Sequence, residues 1–158
     1  MKLNYLFPNK YKKIGWTLLI PSVIFGLITL IFDFEPIFLD FKVPAILVDE
    51  ILGKKVLFGF IENNILNEIV GIFIIVSSIL VAFSEEVNED EYISKIRLES
   101  LVWAVYINYG ILLVAFLFIY DFSFFWVMML NMFTILLFFI IRFHLQISKQ
   151  KNMLNNEE

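Results

Sequence analysis

Long apolar runs separated by short polar stretches occupy most of the chain, at residues 14–32, 64–83, 101–120 and 124–143. Each is close to the roughly 20 helical residues that cross a hydrocarbon core about 30 Å thick, so the pattern predicts an all-α membrane protein with four transmembrane helices. The second run is the shortest: residues 69–83 alone would rise only about 22 Å, so its helix is expected to start earlier, with Asn63 or Asn64 as the cap. Glu68 then falls in the first turns, where the helix dipole favours an acid. In the first run, Pro21 removes a helix hydrogen bond beside the compliant Gly26, which predicts a bend, and Thr17 is placed to satisfy part of the freed backbone. Ser22 with Gly26, and Ser78 with Ala82, are small-residue pairs that permit close helix approach.

The polar stretches predict further elements. In the 33–63 loop, residues 39–43 alternate apolar and polar as a half-buried strand does, and residues 55–60 form a second strand candidate, together a small hairpin. Between the second and third runs, Asn88 followed by Glu89, Asp90 and Glu91 reads as an N-cap, an acidic first turn and a capping-box acid. A helix unbroken from 89 to 120 would project about 12 residues beyond the membrane, an extension of helix 3. Ile93 and Ile96 on that extension share a face with Tyr92 and are expected to pack near His144 and Ile147 at the end of the fourth run.

Charge sets the expected topology. Lys2, Lys10, Lys12, Lys13, Lys95, Arg97, Arg142, Lys149 and Lys151 lie on one side of the spans, against Lys42, Lys54 and Lys55 on the other. The positive-inside rule then puts both termini in the cytoplasm, with 33–63 an outer loop, 84–100 a cytoplasmic acidic connection and 144–158 a cytoplasmic tail. Asp33, Phe34, Glu35 and Pro36 after the first run form no signal-cleavage site, so that run reads as an anchor.

Composition narrows the function classes. The chain is 60% hydrophobic, above the roughly 45–50% of soluble domains. Cysteine is absent, which excludes thiolate catalysis, disulfides and zinc–thiolate clusters, and a net charge of -4 offers no surface for nucleic acid. The 19 Phe residues fit general compositional bias and lipid exposure rather than a cofactor cage, and no cofactor or metal is expected.

Candidate interaction or helix-packing residues are Glu86, Asp90, Glu91, Arg97, Ser100, Asn108, Asn131 and Arg142. Glu85, Glu86, Glu89, Asp90 and Glu91 are clustered, but their spacing is no metal-ligand signature. Pairing of Arg97 or Arg142 with these acids is the favoured reading. Arg97, Ser100, Ala104 and Asn108 recur at helical spacing as a stripe that must face other helices, as do Asn131 and Thr134, whose amide and hydroxyl suit interhelix hydrogen bonds. No ionisable residue lies at mid-membrane and no internal repeat is evident, which argues against an ion-coupled carrier.

Phe83-Ser84-Glu85-Glu86, then Glu89-Asp90-Glu91, Ile93, Ile96-Arg97 and Ser100-Leu101, with Asn108 and Asn131-x-Phe133-Thr134 in the spans that follow, resembles a group of small bacterial four-span integral membrane proteins. No activity attaches to that group. The resemblance implies four spans and a cytoplasmic (inner) membrane location over about two thirds of the chain. The expected function is a non-enzymatic accessory, sensory or regulatory partner of another membrane or cytoplasmic protein, in contact with the lipid bilayer and open to homo-oligomerisation. The competing class is a small oligomeric channel or transporter with Asn108 and Asn131 lining its path. An enzyme ranks third, because the only His lies at a membrane boundary.

Overall fold

The computed structural model describes residues 5–32, 34–46, 58–87 and 89–156. These form α1 (Lys10–Phe32), a 3-10 turn (Ile37–Leu39), β1 (Asp40–Ala45), β2 (Gly59–Asn64), α2 (Leu66–Ala82), α3 (Glu91–Phe118) and α4 (Phe122–Asn156). Helices α1, α3 and α4 are each long and apolar enough to cross a membrane, and only 17%, 17% and 11% of the residues in their most apolar stretches are buried within the protein. So much bare apolar surface requires a non-aqueous solvent. Helix α2 is apolar but has 17 residues, a rise of about 26 Å. The chain forms two compact units, Met1–Leu19 with Ile74–Glu158, and Ile20–Phe73.

In the first unit α3 and α4 pack along one another. The core joins small residues on α2 and α3 to large ones on α4: Ser77, Val81, Ala82, Ser100 and Ala104 are fully buried, as are Phe139 and Phe143. Phe139 stacks between Phe83 and Phe143, with ring centroids 5.8 and 5.7 Å apart. Ile93, Ile96 and Ile147 are all buried. Gly15 of α1 closely approaches α2: an added Cβ would lie 2.8 Å from Val81 Cγ2 and 3.0 Å from the Val81 backbone nitrogen. Only hydrogen fits there. Thr17 does not answer Pro21: its hydroxyl donates to the Lys13 carbonyl at 2.9 Å, one turn back, whereas Pro21 frees the carbonyl of Thr17 itself.

Helix α3 starts at Glu91 rather than 89. Its cap is Asp90, whose Oδ1 accepts the Ile93 N–H at 2.7 Å, and the expected cap Asn88 lies outside the described residues. Glu89 is drawn away from the helix by other partners, set out below, and this moves the start. At the far end Ile119 is extended and Asp121 adopts φ 58°, so three residues turn the chain from α3 into α4. Aspartate is among the few residues that tolerate this left-handed conformation. Helix α4 runs 35 residues, well past the expected 143, and takes in much of the tail.

In the second unit β1 and β2 pair antiparallel, with Asp40 opposite Asn64, Lys42 opposite Glu62 and Val43 opposite Ile61. The hairpin is present, but its second strand lies four residues later than expected, and residues 55–57 fall outside the described residues. Asn64 explains the shift. It closes the strand and also caps α2: its Nδ2 donates to Pro36 O at 2.8 Å and Asp40 Oδ1 at 2.6 Å, while its Oδ1 accepts the Leu66 N–H at 3.2 Å. Glu68 accepts from Asn63 at 2.7 Å.

Candidate functional site

The densest polar site lies where α2 ends and α3 begins, in the first unit. A helix leaves its last carbonyls without intrahelical partners and carries partial negative charge at that end. The end of α2 is closed by side chains. Leu80 O accepts the Ser84 hydroxyl, and Ala82 O accepts Arg97 Nη1 at 2.8 Å. Arg97 Nη2 also donates to Ser84 O at 3.3 Å and to both Glu89 carboxylate oxygens at 3.0 and 3.2 Å. Glu89 accepts the Glu86 N–H at 2.8 Å as well, so the connection folds back around the guanidinium. Arg97 is 5% exposed, and its guanidinium lies over the Phe143 ring, 4.5 Å from the centroid. One buried cation therefore ties together the end of α2, the connection, α3 and α4.

The start of the chain closes over the same site. Phe7 donates to Phe83 O at 2.8 Å and accepts the Glu85 N–H at 2.9 Å, and Asn9 Nδ2 donates to Glu85 O at 2.6 Å. Lys12 pairs with Glu86, and both side chains are largely buried. The site thus holds two cations and two carboxylates in matched pairs. Trp16 and Phe143 meet the His144 ring edge-on at 5.2 and 5.5 Å, and His144 Nδ1 donates to Ile140 O at 2.8 Å. Among the described residues no group of three or more His, Asp and Glu is placed to hold a metal ion.

The sequence-derived residues divide among separate places. Glu86 and Arg97 share this site and meet at Glu89, whose carboxylate accepts the Glu86 backbone N–H as well as Arg97 Nη2, while the Glu86 side chain pairs with Lys12. Asp90 is spent as the α3 cap, and Glu91 opens that helix, exposed. Ser100 is fully buried, and its hydroxyl has no hydrogen-bond partner among the described residues. Arg142 does not join the acids; it lies over Trp103, 4.7 Å from the ring centroid. Asn108 and Asn131 form a second cluster between α3 and α4. Each side-chain amide donates to the other's oxygen at 3.2 Å, and the Thr134 hydroxyl donates to Asn108 Oδ1.

Sequence reasoning missed Lys12, Trp16, Trp103 and Phe143, and gave Glu89 no individual role. Lys12 reads in sequence as one of several topogenic lysines, and nothing local marks it as the residue that will be buried. Aromatic residues are so common here that the two lying beneath arginines carry no distinguishing signal. The sequence matches no known protein family, and no curated protein or solved structure matches it either.

Proposed function

We propose that this chain is a non-enzymatic accessory, sensory or regulatory membrane protein that presents a rigid helical platform to another protein. In this reading it crosses a bacterial cytoplasmic membrane four times with both termini inside. The observation that carries the reading is the projection of α3 and α4 beyond what a bilayer requires. Their 28 and 35 residues rise about 42 and 52 Å, against a hydrocarbon core about 30 Å thick. The surplus is braced by the buried Arg97 site and by Ile93, Ile96 and Ile147, while Tyr92, Leu98 and Leu145 stay exposed. Packed on one side and bare on the other, such a surface suits a partner.

The fourth crossing is supported within the first unit, where Gly15 near the start of α1 meets Val81 at the end of α2 and Phe7 before α1 pairs with Ser84 after α2. The cytoplasmic termini rest on the nine-to-three split of basic residues. A reporter fused after Glu158 that is active only outside the cell would overturn the topology.

Function is tested by placing a photo-crosslinking side chain at Leu98 and, as a lipid-facing reference, at Ile111 of α3 in native membranes. A discrete adduct at Leu98, absent at Ile111 and lost when Tyr92 is changed to Glu, is expected. The purified chain in liposomes should leave them impermeable. Reproducible ion flux that disappears in Asn108→Leu would replace this reading with a conduction path.

A further inference from the structure

In the Ile20–Phe73 unit, the exposed apolar surface does not stop where α1 stops. Ile24, Leu27, Ile31 and Phe32 are exposed along the helix, and the exposure continues past its end through Phe34, Ile37, Phe38 and Phe41. Ile37 and Phe38 are 86% and 77% exposed, more than any of those four helix residues. In water this would be a liability. Yet the segment is not free to fold elsewhere: the Phe34 N–H is bonded to Thr29 O at 3.3 Å, and the Ile65 N–H to Leu39 O at 3.1 Å. The Asn64 amide adds its bond to Pro36 O. The segment is therefore a collar fixed to the end of α1 and the start of α2.

The collar is also two-sided. Alternation along the paired strands puts Asp40, Lys42, Glu62 and Asn64 on one face, followed by Pro44 and the exposed Phe60 towards the loop, and Lys42 and Glu62 form an exposed ion pair at 3.4 Å. Phe41, Val43 and Ile61 occupy the other face together with Asn63, whose amide is taken up by Glu68.

We propose that Phe34–Phe41 is a lipid-interface anchor, with Phe34, Ile37, Phe38 and Phe41 set into the boundary between acyl chains and headgroups of the leaflet where α1 ends, and the Lys42–Glu62 pair turned to water. The proposal rests on α1 spanning the membrane. A bilayer suits the segment better than a protein does, because the exposed surface is continuous with the lipid-facing side of α1. The tethers also hold it next to the end of α1, where apolar side chains such as Phe can bury into the boundary of headgroups and acyl chains.

The absence of cysteine makes the test direct. Ile28→Cys, Ile37→Cys, Phe38→Cys and Lys42→Cys are each labelled with a nitroxide in the full chain, reconstituted in vesicles of phosphatidylcholine and phosphatidylglycerol. Collision with oxygen, which partitions into lipid, is compared with collision with a water-soluble nickel chelate. Labels at 28, 37 and 38 should favour oxygen severalfold more than the label at 42. Ile37→Cys keeps every phenylalanine, so the result does not depend on removing an anchor residue. Water-like behaviour at 37 and 38, with 28 still in lipid, overturns the anchor alone. Water-like behaviour at 28 overturns the membrane reading of α1 and the anchor with it. Protection of 37 and 38 from both reagents means that protein covers the segment, and that too overturns the proposal.

Discussion

Arg97→Met keeps the length and apolar character of the arginine stem and removes only the guanidinium. The change leaves Ala82 O and Ser84 O without these donors and Glu89 without its cation. Removing one partner of a buried ion pair costs about 3–5 kcal/mol, because the remaining charge is left uncompensated. Glu89 keeps its bond from the Glu86 N–H, and its side chain is 21% exposed. The loss should therefore fall at the lower end, about 3 kcal/mol. Arg97→Lys preserves the charge but delivers its donors from a single point, so it should lose at least one carbonyl bond and cost about 1–1.5 kcal/mol.

The assay is reversible unfolding in mixed micelles, with SDS titrated against a mild detergent and Glu89→Gln providing the second edge of a double-mutant cycle. Glu89→Gln should destabilise the parent but be nearly neutral in Arg97→Met, giving a coupling of about 2 kcal/mol. Effects that add to within about 0.5 kcal/mol would mean that the pair contributes nothing as a pair. A loss below about 1 kcal/mol in Arg97→Met would refute the assignment of Arg97 as the tie among these elements.

Three other changes probe separate contacts by the same unfolding assay. Asn108→Leu or Asn131→Leu should each cost about 1–2 kcal/mol, and the double variant little more than either, because both break the same reciprocal amide pair; additive losses would show that they act separately. Gly15→Ala should cost about 1–3 kcal/mol by overpacking, with partial recovery on adding Val81→Ala, and full stability in the single variant would contradict the close approach. Asp121→Gly should be neutral or slightly stabilising while Asp121→Val costs about 1–2 kcal/mol, and equal stability of the two would mean that the turn is not held at positive φ.

What the sequence makes legible follows from which solvent each residue must satisfy. The long apolar helices are visible because lipid demands about 20 continuous apolar residues, and the hairpin because alternation survives in a short strand. Its register was harder to read. Asn63 and Asn64 look like helix caps, and Asn64 is one, but the same side chain also holds the end of β2. The far end of α4 was hidden for the opposite reason: Gln146, Lys149, Gln150 and Lys151 extend a helix well without forming an apolar run.

The Arg97 site was only half legible. Five carboxylates lie within seven residues of sequence, and a buried arginine nearby implies that one of them is its partner. Which one depends on how residues 83–90 turn, and that path is shaped partly by Phe7, far away along the chain. Gly15 shows a similar limit. The small-residue pairs Ser22/Gly26 and Ser78/Ala82 stand out by spacing, whereas the close contact at Gly15 sets a lone glycine against a valine, with no spacing to reveal it.

The bonds from the start of the chain to the α2–α3 connection also impose an order of assembly. Asn9 and Glu85 are 76 residues apart and Lys12 and Glu86 are 74 apart, so neither contact can form until α2 and the connection have been synthesised. At about 5–20 residues per second, roughly 4–15 s separate the emergence of the two partners from the ribosome. During that interval α1 has neither Val81 beneath Gly15 nor a carboxylate for Lys12. The α3–α4 pair, joined by a three-residue turn, can instead associate as soon as α4 is made. Closure of the Lys12–Glu86 pair therefore waits on α2 and the connection, and a chain stalled before Val81 would leave α1 as an unclasped helix, open to lipid, quality-control proteases or a mistaken partner.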